Sequence, residues 1–224
     1  MTQHWHLWLC EANYRAVEEM EGIPARPYVL AYQAPAQSLT EGGPVVLPPH
    51  GRTISCACEL AVELDSEVHQ ADETAAFRAI RGYRALAGFR DSALIAEVPQ
   101  PTARDEGVCV YYARWADTFN CVSPLIPRAE IEDPYTVRMQ VTVDGYEPAI
   151  AWASDYLHRA PAVIAALSQF ATLQPGDIIS LGRAGEMVTL PADQRLAPGT
   201  RVVAEIADVG QVAAVIRDER RQTN

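Results

Sequence analysis

The chain has 224 residues, 49% of them hydrophobic, and its 29 acidic and 18 basic side chains give a formal charge of −11. That composition supports one sizeable buried core, as one domain or a domain with a small appendage, and argues against intrinsic disorder. The acidic balance repels polyanions and no Lys-rich arm offsets it locally, so nucleic acid is not an expected partner.

The opening MTQHWHLWLC has neither the cationic start nor the long apolar run of a secretory signal, and nowhere do about 18 apolar residues follow one another. A soluble cytoplasmic protein without a membrane partner is the expectation. The five cysteines, Cys10, Cys56, Cys58, Cys109 and Cys121, are odd in number and too sparse for a disulfide framework. They are expected as buried or half-buried free thiols.

LCEANYRAVEEMEG at 9–22 predicts a short helix from about Ala12 to Met20, stopped by Gly22, with Tyr14, Val17 and Met20 on one face. Pro24, Pro27 and Pro35 prevent its continuation and predict a loop that wraps this segment onto the main body. ISCACELAVEL at 54–64 alternates strictly. Ile54, Cys56, Cys58, Leu60, Val62 and Leu64 share one face of a strand, and Ser55, Ala57, Glu59, Ala61 and Glu63 share the other. An acidic side chain thus recurs inside a strand, on a face suited to line a reaction chamber. A short Ala-rich helix is expected from near Asp72, IRGYRALAGF is ambiguous between helix and strand, and a loop is expected between Pro99 and Gly107.

The later half is more legible. TVRMQVTVDG puts Val137, Met139, Val141 and Val143 on one strand face and ends in the Asp144-Gly145 reversal. Ser154 or Asp155 is placed to cap a helix whose apolar stripe is Val163, Ile164, Leu167 and Phe170. LQPGDIISLG returns to strand after a Pro-Gly turn, and TRVVAEIADVG and QVAAVIRD read as a terminal strand pair parted near Gly210. With no 20–50 residue repeat, these elements predict a strand-rich α+β domain rather than βαβ units. His4, His6, His50, His69 and His158 form no metal or catalytic constellation. The H-x-H near the N-terminus is expected to be exposed and mobile, and His158 to be a local structural residue. Trp5 and Trp8 either cover the N-terminal edge or shape a substrate entrance.

The order of short motifs resembles the fumarylacetoacetate hydrolase family: NYR at 13–15, SL at 38–39 followed by VVLPP at 45–49, CELAV at 58–62, GY at 82–83, RWADTF at 114–119, SD at 154–155, and LQPGDIISLG at 173–182 followed by LAPGTRVVAEIADVG. These motifs cover nearly all of the chain beyond residue 8. The resemblance implies a mixed β-sandwich roll, here an N-terminal segment over 1–50 packed on a β-roll catalytic-type domain over 51–224, and commonly a homodimer. It also implies an enzyme that holds a 2-oxo acid or diketone on Mg²⁺ or Mn²⁺ while a C–C bond is cleaved, a carboxyl group is lost or an enol is isomerised.

Against that pattern the pocket is rewritten. The family's acid-x-acid pair becomes Ala57-x-Glu59, and its third acid falls at Gly88; a gap would be needed to bring Asp91 near. A hard divalent cation needs about six oxygen ligands, so no metal ligand set is expected. Glu63, roughly 13 Å along the strand from Glu59, is too far to stand in. The His-x-x-Glu dyad expected after NYR lacks its His, and Glu19 is the candidate for its acidic position. Arg114 replaces an active-site lysine and stays cationic at neutral pH. Gln33-Ala34-Pro35 replaces a Lys-Pro element, and Arg183 replaces the threonine of a GTPxG-like loop in GRAGE at 182–186.

These residues set the expected roles. Glu59, on a buried strand where a charge needs a compensating cation, suits proton transfer, or else forms an internal ion pair with Arg114. Arg114 or Arg183 suits holding an enolate or acyl tetronate oxygen as the metal otherwise would. The catalytic candidates are Glu59, Arg114 and Glu19. The substrate-binding candidates are Tyr14, Arg15, Gln33, Asp117 and Arg183, with Asp117 chiefly a brace for Arg114 or its loop. The first expectation is a metal-independent, cofactor-free isomerase or cyclase of a conjugated diketone, enol or polyketide- or tetronate-like small molecule. The alternatives are a Mg²⁺- or Mn²⁺-dependent C–C hydrolase or decarboxylase of 2-oxo acids or diketones, and a non-catalytic binding or partner subunit.

Overall fold

The computed structural model describes residues 6–22, 24–48, 53–91, 103–189 and 196–218, with the backbone alone described at 103–107 and 218. The chain enters as β1 (Leu7–Cys10) and then makes the short helix α1 (Val17–Glu21), stopped by Gly22 in the left-handed conformation at φ 68°. The helix begins at Val17 rather than Ala12 because the preceding residues are engaged elsewhere. Tyr14 forms an isolated bridge with Tyr156, and the Asn13 side chain accepts from the His158 N–H at 2.8 Å. Tyr14 and Val17 are buried as the spacing predicts, whereas Met20 is exposed. β2 (Ala31–Ala34), β3 (Leu39–Thr40) and β4 (Gly43–Leu47) follow the proline-rich stretch.

The middle of the chain is dominated by two long strands, β5 (Ile54–Leu64) and, after α2 (Glu73–Arg78), β6 (Ile80–Asp91), which pair antiparallel from Ile54↔Asp91 to Leu64↔Ile80. Asp72 caps α2 as expected, accepting the Ala75 N–H at 2.7 Å. The ambiguous segment is strand. Ala103–Tyr112 is the helix α3, so the loop expected up to Gly107 is corrected over 103–107, while 99–102 lie outside the described residues. β7 (Asn120–Val122) and β8 (Ile126–Pro127) complete this part.

β9 (Arg138–Val143) reverses at Asp144-Gly145 into β10 (Ala149–Trp152). Ser154 and Asp155 lie in a 3₁₀ turn and cap nothing. The helix α4 (Ala160–Ser168) starts instead after Arg159, with Pro161 in its first turn where the ring's fixed φ is already helical. Val163 and Ile164 are buried, but Phe170 lies past the helix end and is 93% exposed. β11 (Ile178–Arg183), β12 (Val188–Thr189), β13 (Arg201–Ile206) and β14 (Gly210–Asp218) close the chain.

Among the described residues these strands form two sheets. One runs β2-β1-β11-β5-β6-β7-β3, with β12 added to β5 and β8 to β6; the other runs β10-β9-β13-β14-β4. β1–β11, β3–β7 and β4–β14 are parallel and the remaining pairs antiparallel, so both sheets are mixed. The first 48 residues supply strands to both. The fold is therefore the strand-rich α+β roll that the pattern implies.

Every residue of β5 is buried, on both faces. Cys56, Cys58, Leu60 and Val62 fill the space between the sheets with Phe89, Met139, Val141 and Val202, each large apolar side chain contributing about 1.5–3 kcal/mol by burial. The opposite face looks away from the second sheet, and there Ala61 packs with Leu7, Leu9, Tyr32 and Leu86. Its polar members must find partners, since an unpaired buried charge is costly. At one end Glu63 Oε2 accepts from Arg84 Nε and Nη2 at 2.9 and 2.6 Å, and Arg81 Nη1 reaches Oε1 at 2.5 Å.

Cys10, Cys56, Cys58 and Cys121 are buried free thiols and Cys109 is half-buried, as expected. His6 is not a mobile end: its Nδ1 lies 2.9 Å from the buried Asp177 Oδ1. His158 has a structural role, its Nε2 lying 3.1 Å from the Arg26 carbonyl. Trp8 packs partly buried against the core; His4, Trp5 and His50 lie outside the described residues. No helix among the described residues is long and apolar enough to cross a membrane.

Candidate active site

Glu59 sits at the middle of β5, opposite Leu86 on β6 and Arg183 on β11. Arg114 comes from the turn after α3, which is fastened to β6 by the Asp91 N–H donating to the Ala113 carbonyl at 2.9 Å. The two side chains, each 3% exposed, meet as a fork. Nη1 lies 2.8 Å from Oε1 and Nη2 lies 3.1 Å from Oε2. Two neighbours hold this geometry. Asn120 Oδ1 accepts from Arg114 Nη2 at 2.7 Å while its amide donates to Ser38 Oγ and to the Arg114 carbonyl. Ser180 Oγ donates to Glu59 Oε2 at 2.5 Å and accepts the Gly182 N–H at 3.1 Å.

Room for the fork comes from two small residues. Ala57 and Gly88 are cross-strand partners beside the pair. A Cβ on Gly88 would lie 2.5 Å from Arg114 Nη2 and 2.5 Å from Glu59 Oε1. Glu59 Oε1 accepts one bond, from Arg114, so it keeps a second lone-pair direction on this small-residue side. Arg114 Nε is buried without a hydrogen-bond partner, a rarity for a buried N–H.

The fork forms one wall of a cavity of about 20 Å³ that Ser55, Cys56, Ala57, Gly88, Cys10 and Glu11 also line. This is room for about one water, so a larger ligand enters by displacing wall side chains. Two further arginines reach the cavity. Arg90 Nη2 lies 2.5 Å from Glu11 Oε1, which also accepts from the Tyr32 hydroxyl at 3.1 Å. Arg183 lies over the Tyr14 ring, bonds the Tyr14 hydroxyl at 2.8 Å and pairs with Glu21, to which Tyr14 also donates.

The electrostatics follow from burial. Desolvation pulls the Arg114 guanidinium down, but Glu59, then Tyr32 and Glu11, outweigh it and hold the group above its ordinary value. Arg90 is raised in the same way, burial being outweighed by Glu11. Burial and then the Glu21 hydrogen bond push the Tyr14 hydroxyl up, and burial followed by Glu11 does so for Tyr32. Burial pushes the Cys56 thiol up to about 12 and raises Cys10 further. Neither thiol is a nucleophile at neutral pH, because the thiolate is the reactive form. The groups left for chemistry are a carboxylate and the guanidinium forked onto it.

The Mg²⁺ or Mn²⁺ that the family pattern implies does not fit this donor set. Position 57 offers a methyl and position 88 no side chain. Glu59 Oε2 is taken by Arg114 and Ser180 and Oε1 lies against the Arg114 guanidinium, whose positive charge repels a cation beside Gly88. Among the described residues no group of three or more His, Cys, Asp or Glu side chains is placed to hold an ion, whereas a hard cation is held largely by carboxylate charge.

The structure brings Glu59, Arg114 and Arg183 together around the cavity, with Tyr14 behind them, bonded to Arg183. Glu19 lies on the exposed side of α1, and Glu21, two residues on, meets Arg183 instead. Arg15 is exposed, with Nε 3.5 Å from the Ser154 carbonyl, and Gln33 is exposed on β2. Asp117 is exposed too, and the brace for Arg114 is Asn120. Sequence reasoning missed Asn120, Ser180, Glu11 and Arg90. A signal existed for Arg90, because β6 alternates Tyr83, Ala85, Ala87 and Phe89 against Arg84, Leu86, Gly88 and Arg90, which puts Arg90 on the face that Gly88 shares with Glu59.

The family model described as fumarylacetoacetate (FAA) hydrolase C-terminal matches residues 6–217. The chain is 28% identical over 203 residues to oxaloacetate tautomerase FAHD2, mitochondrial, of Arabidopsis thaliana, covering 89% of this chain and 88% of that one. It is 24% identical over 218 residues to the 4-hydroxyphenylacetate degradation bifunctional isomerase/decarboxylase of Escherichia coli, covering 96% of this chain and 48% of that one. Among solved structures, a fumarylacetoacetate hydrolase family protein from Yersinia pestis CO92 shares the fold with a TM-score of 0.81 at 22% identity, over 95% of this chain and 93% of that chain. Fumarylpyruvate hydrolase from Pseudomonas aeruginosa in complex with Mn²⁺ and pyruvate does so with a TM-score of 0.79 at 18% identity, over 96% and 90%. With the motif order, the mixed roll and a family match over almost its whole length, the chain belongs to the fumarylacetoacetate hydrolase family.

Proposed function

We propose that this protein isomerises an enolisable dicarbonyl compound, moving a proton between carbon and oxygen or between two carbons without a divalent cation. The observation that carries this reading is the forked Glu59–Arg114 pair at the wall of a cavity that Ala57 and Gly88 keep open. Glu59 is the base: Oε1, on the small-residue side, takes a proton from the carbon between two carbonyls. The negative charge that Glu59 gives up reappears on the enolate oxygen. Arg114 thus faces one negative charge before the transfer and one after it, which keeps the cost of moving that charge low. Its Nε–H, which no atom among the described residues accepts, is the donor left for that oxygen. Return of the proton from Glu59 to oxygen or to the neighbouring carbon completes the isomerisation.

The names of relatives support the class of reaction, since one is called a tautomerase and another an isomerase/decarboxylase. Ring closure of a polyketide- or tetronate-like substrate would start from the same enolate. A hydrolase or decarboxylase of the metal-dependent kind would need an ion that the donor set does not fit.

The test is deuterium exchange at the central carbon of 2,4-pentanedione, followed by NMR in the presence of a chelator. Exchange that survives chelation and falls about 10²–10⁴-fold in Glu59→Gln supports the proposal. Exchange abolished by the chelator, or no faster than that of Glu59→Gln, overturns it.

A further inference from the structure

Three arginines reach one small cavity, and each already has a glutamate. Arg114 forks onto Glu59, Arg90 meets Glu11, and Arg183 meets Glu21. Second bonds fix the arrangement: the Tyr32 hydroxyl donates to Glu11, and the Tyr14 hydroxyl donates to Glu21. The described wall is rich in guanidinium, yet its charge is cancelled pair by pair. This follows from where the glutamates sit rather than from a shortage of cations.

A carboxylate entering such a wall has two options. It stays unpaired in a poorly solvated space, or it draws an arginine away and strands that arginine's glutamate. A ketone or ester carbonyl incurs neither cost, because it accepts a hydrogen bond without bringing charge. We infer that the site selects an uncharged dicarbonyl substrate and discriminates against the 2-oxo acid of the same carbon skeleton. The inference rests on the isomerase reading for the reaction, but the selectivity stands on the charge pairing alone.

Methyl 2,4-dioxopentanoate and the free 2,4-dioxopentanoate share a skeleton and both ketones and differ by one charge. Their binding to the wild-type protein is measured by calorimetry, and exchange at their central carbon is followed separately. The ester is expected to bind about 10-fold or more tightly than the acid. Glu11→Gln leaves Arg90 uncompensated and should raise acid affinity relative to the ester by about 10-fold; Glu21→Gln should do the same through Arg183. Thermal melts check that both variants fold, and the wild-type comparison needs neither. Acid bound as tightly as ester by the wild type overturns the inference, as does failure of the ester to bind. Folded variants that both show no gain for the acid also overturn it. Selective ester binding without exchange would sink the isomerase reading and leave the selectivity standing. Exchange with equal binding of acid and ester would do the reverse.

Discussion

Ala57 and Gly88 face each other across β5 and β6, and at this one rung the sheet carries almost no side chain. The forked pair lies against the gap. Gly88→Ala would push a Cβ to 2.5 Å from both Arg114 Nη2 and Glu59 Oε1. Both are bonded and buried, so neither yields easily. The expected outcome is a loss of about 1–3 kcal/mol of stability from overpacking, together with loss of diketone exchange. Denaturant titration and the exchange assay read the two effects, and a variant as stable and active as wild type would contradict the geometry.

Arg114→Lys keeps the charge but cannot fork onto Glu59 while also bonding Asn120. Exchange should fall about 10²–10³-fold, the loss typical of a removed donor at a developing oxyanion. A steady-state comparison should show the fall mainly in kcat. A change confined to KM would move Arg114 from catalysis to binding.

Glu63 and Arg84 form a second buried pair on β5 and β6, outside the residues that line the cavity. Glu63→Gln should cost about 1–3 kcal/mol, since Arg84 loses its buried carboxylate but keeps Glu41 and the Ser123 carbonyl, and the double change Glu63→Leu with Arg84→Met should restore much of that. Chemical denaturation measures both. The exchange rate of folded protein should be unchanged, which separates this pair from the one at Glu59.

Stability should depend on alkaline pH through the buried thiols. Burial raises Cys56 and Cys121 from an ordinary value near 9.0 to about 12. Between those values the folded state holds protons that the unfolded chain has released. Stability is therefore intact below about pH 9 and falls as pH rises toward 12, by up to about 1.4 kcal/mol per pH unit for each thiol. Denaturation midpoints across this window check the slope, and Cys56→Ala with Cys121→Ala should reduce it, the rest coming from Cys10 and Cys58, which burial also raises.

Strand positions with strict alternation were readable because β5 is buried on both faces, so every side chain there is committed to one packing environment. The same logic reached Glu59 and, through motif order, Arg114. It could not reach Asn120 or Ser180. Their bonds to the pair exist because β7 and β11 are brought beside α3 and β5 by the sheet, and no local spacing encodes that. Glu19 was placed by the dyad that the family resemblance implies, and nothing in that pattern points to Glu21, which meets Arg183. Tertiary bonds to Asn13 and Tyr14 delay the helix to Val17, which turns Glu19 outward. The cap at Ser154 or Asp155 failed for a related reason: Pro161 offers a better helix start than either side chain.

The parallel pairing of β1 with β11, Leu7 opposite Ile178, also bears on how the chain is made. During synthesis β1 must wait for β11, far later in the chain, before its inner edge is covered. Such distant pairing brings slow folding, because loop-closure entropy is met before the contact rewards it. Until then β1 and β2 are an antiparallel pair with an open edge, the kind of surface that chaperones hold and that aggregates when they do not. Synthesis of β11 is thus the step that commits this sheet to its native order.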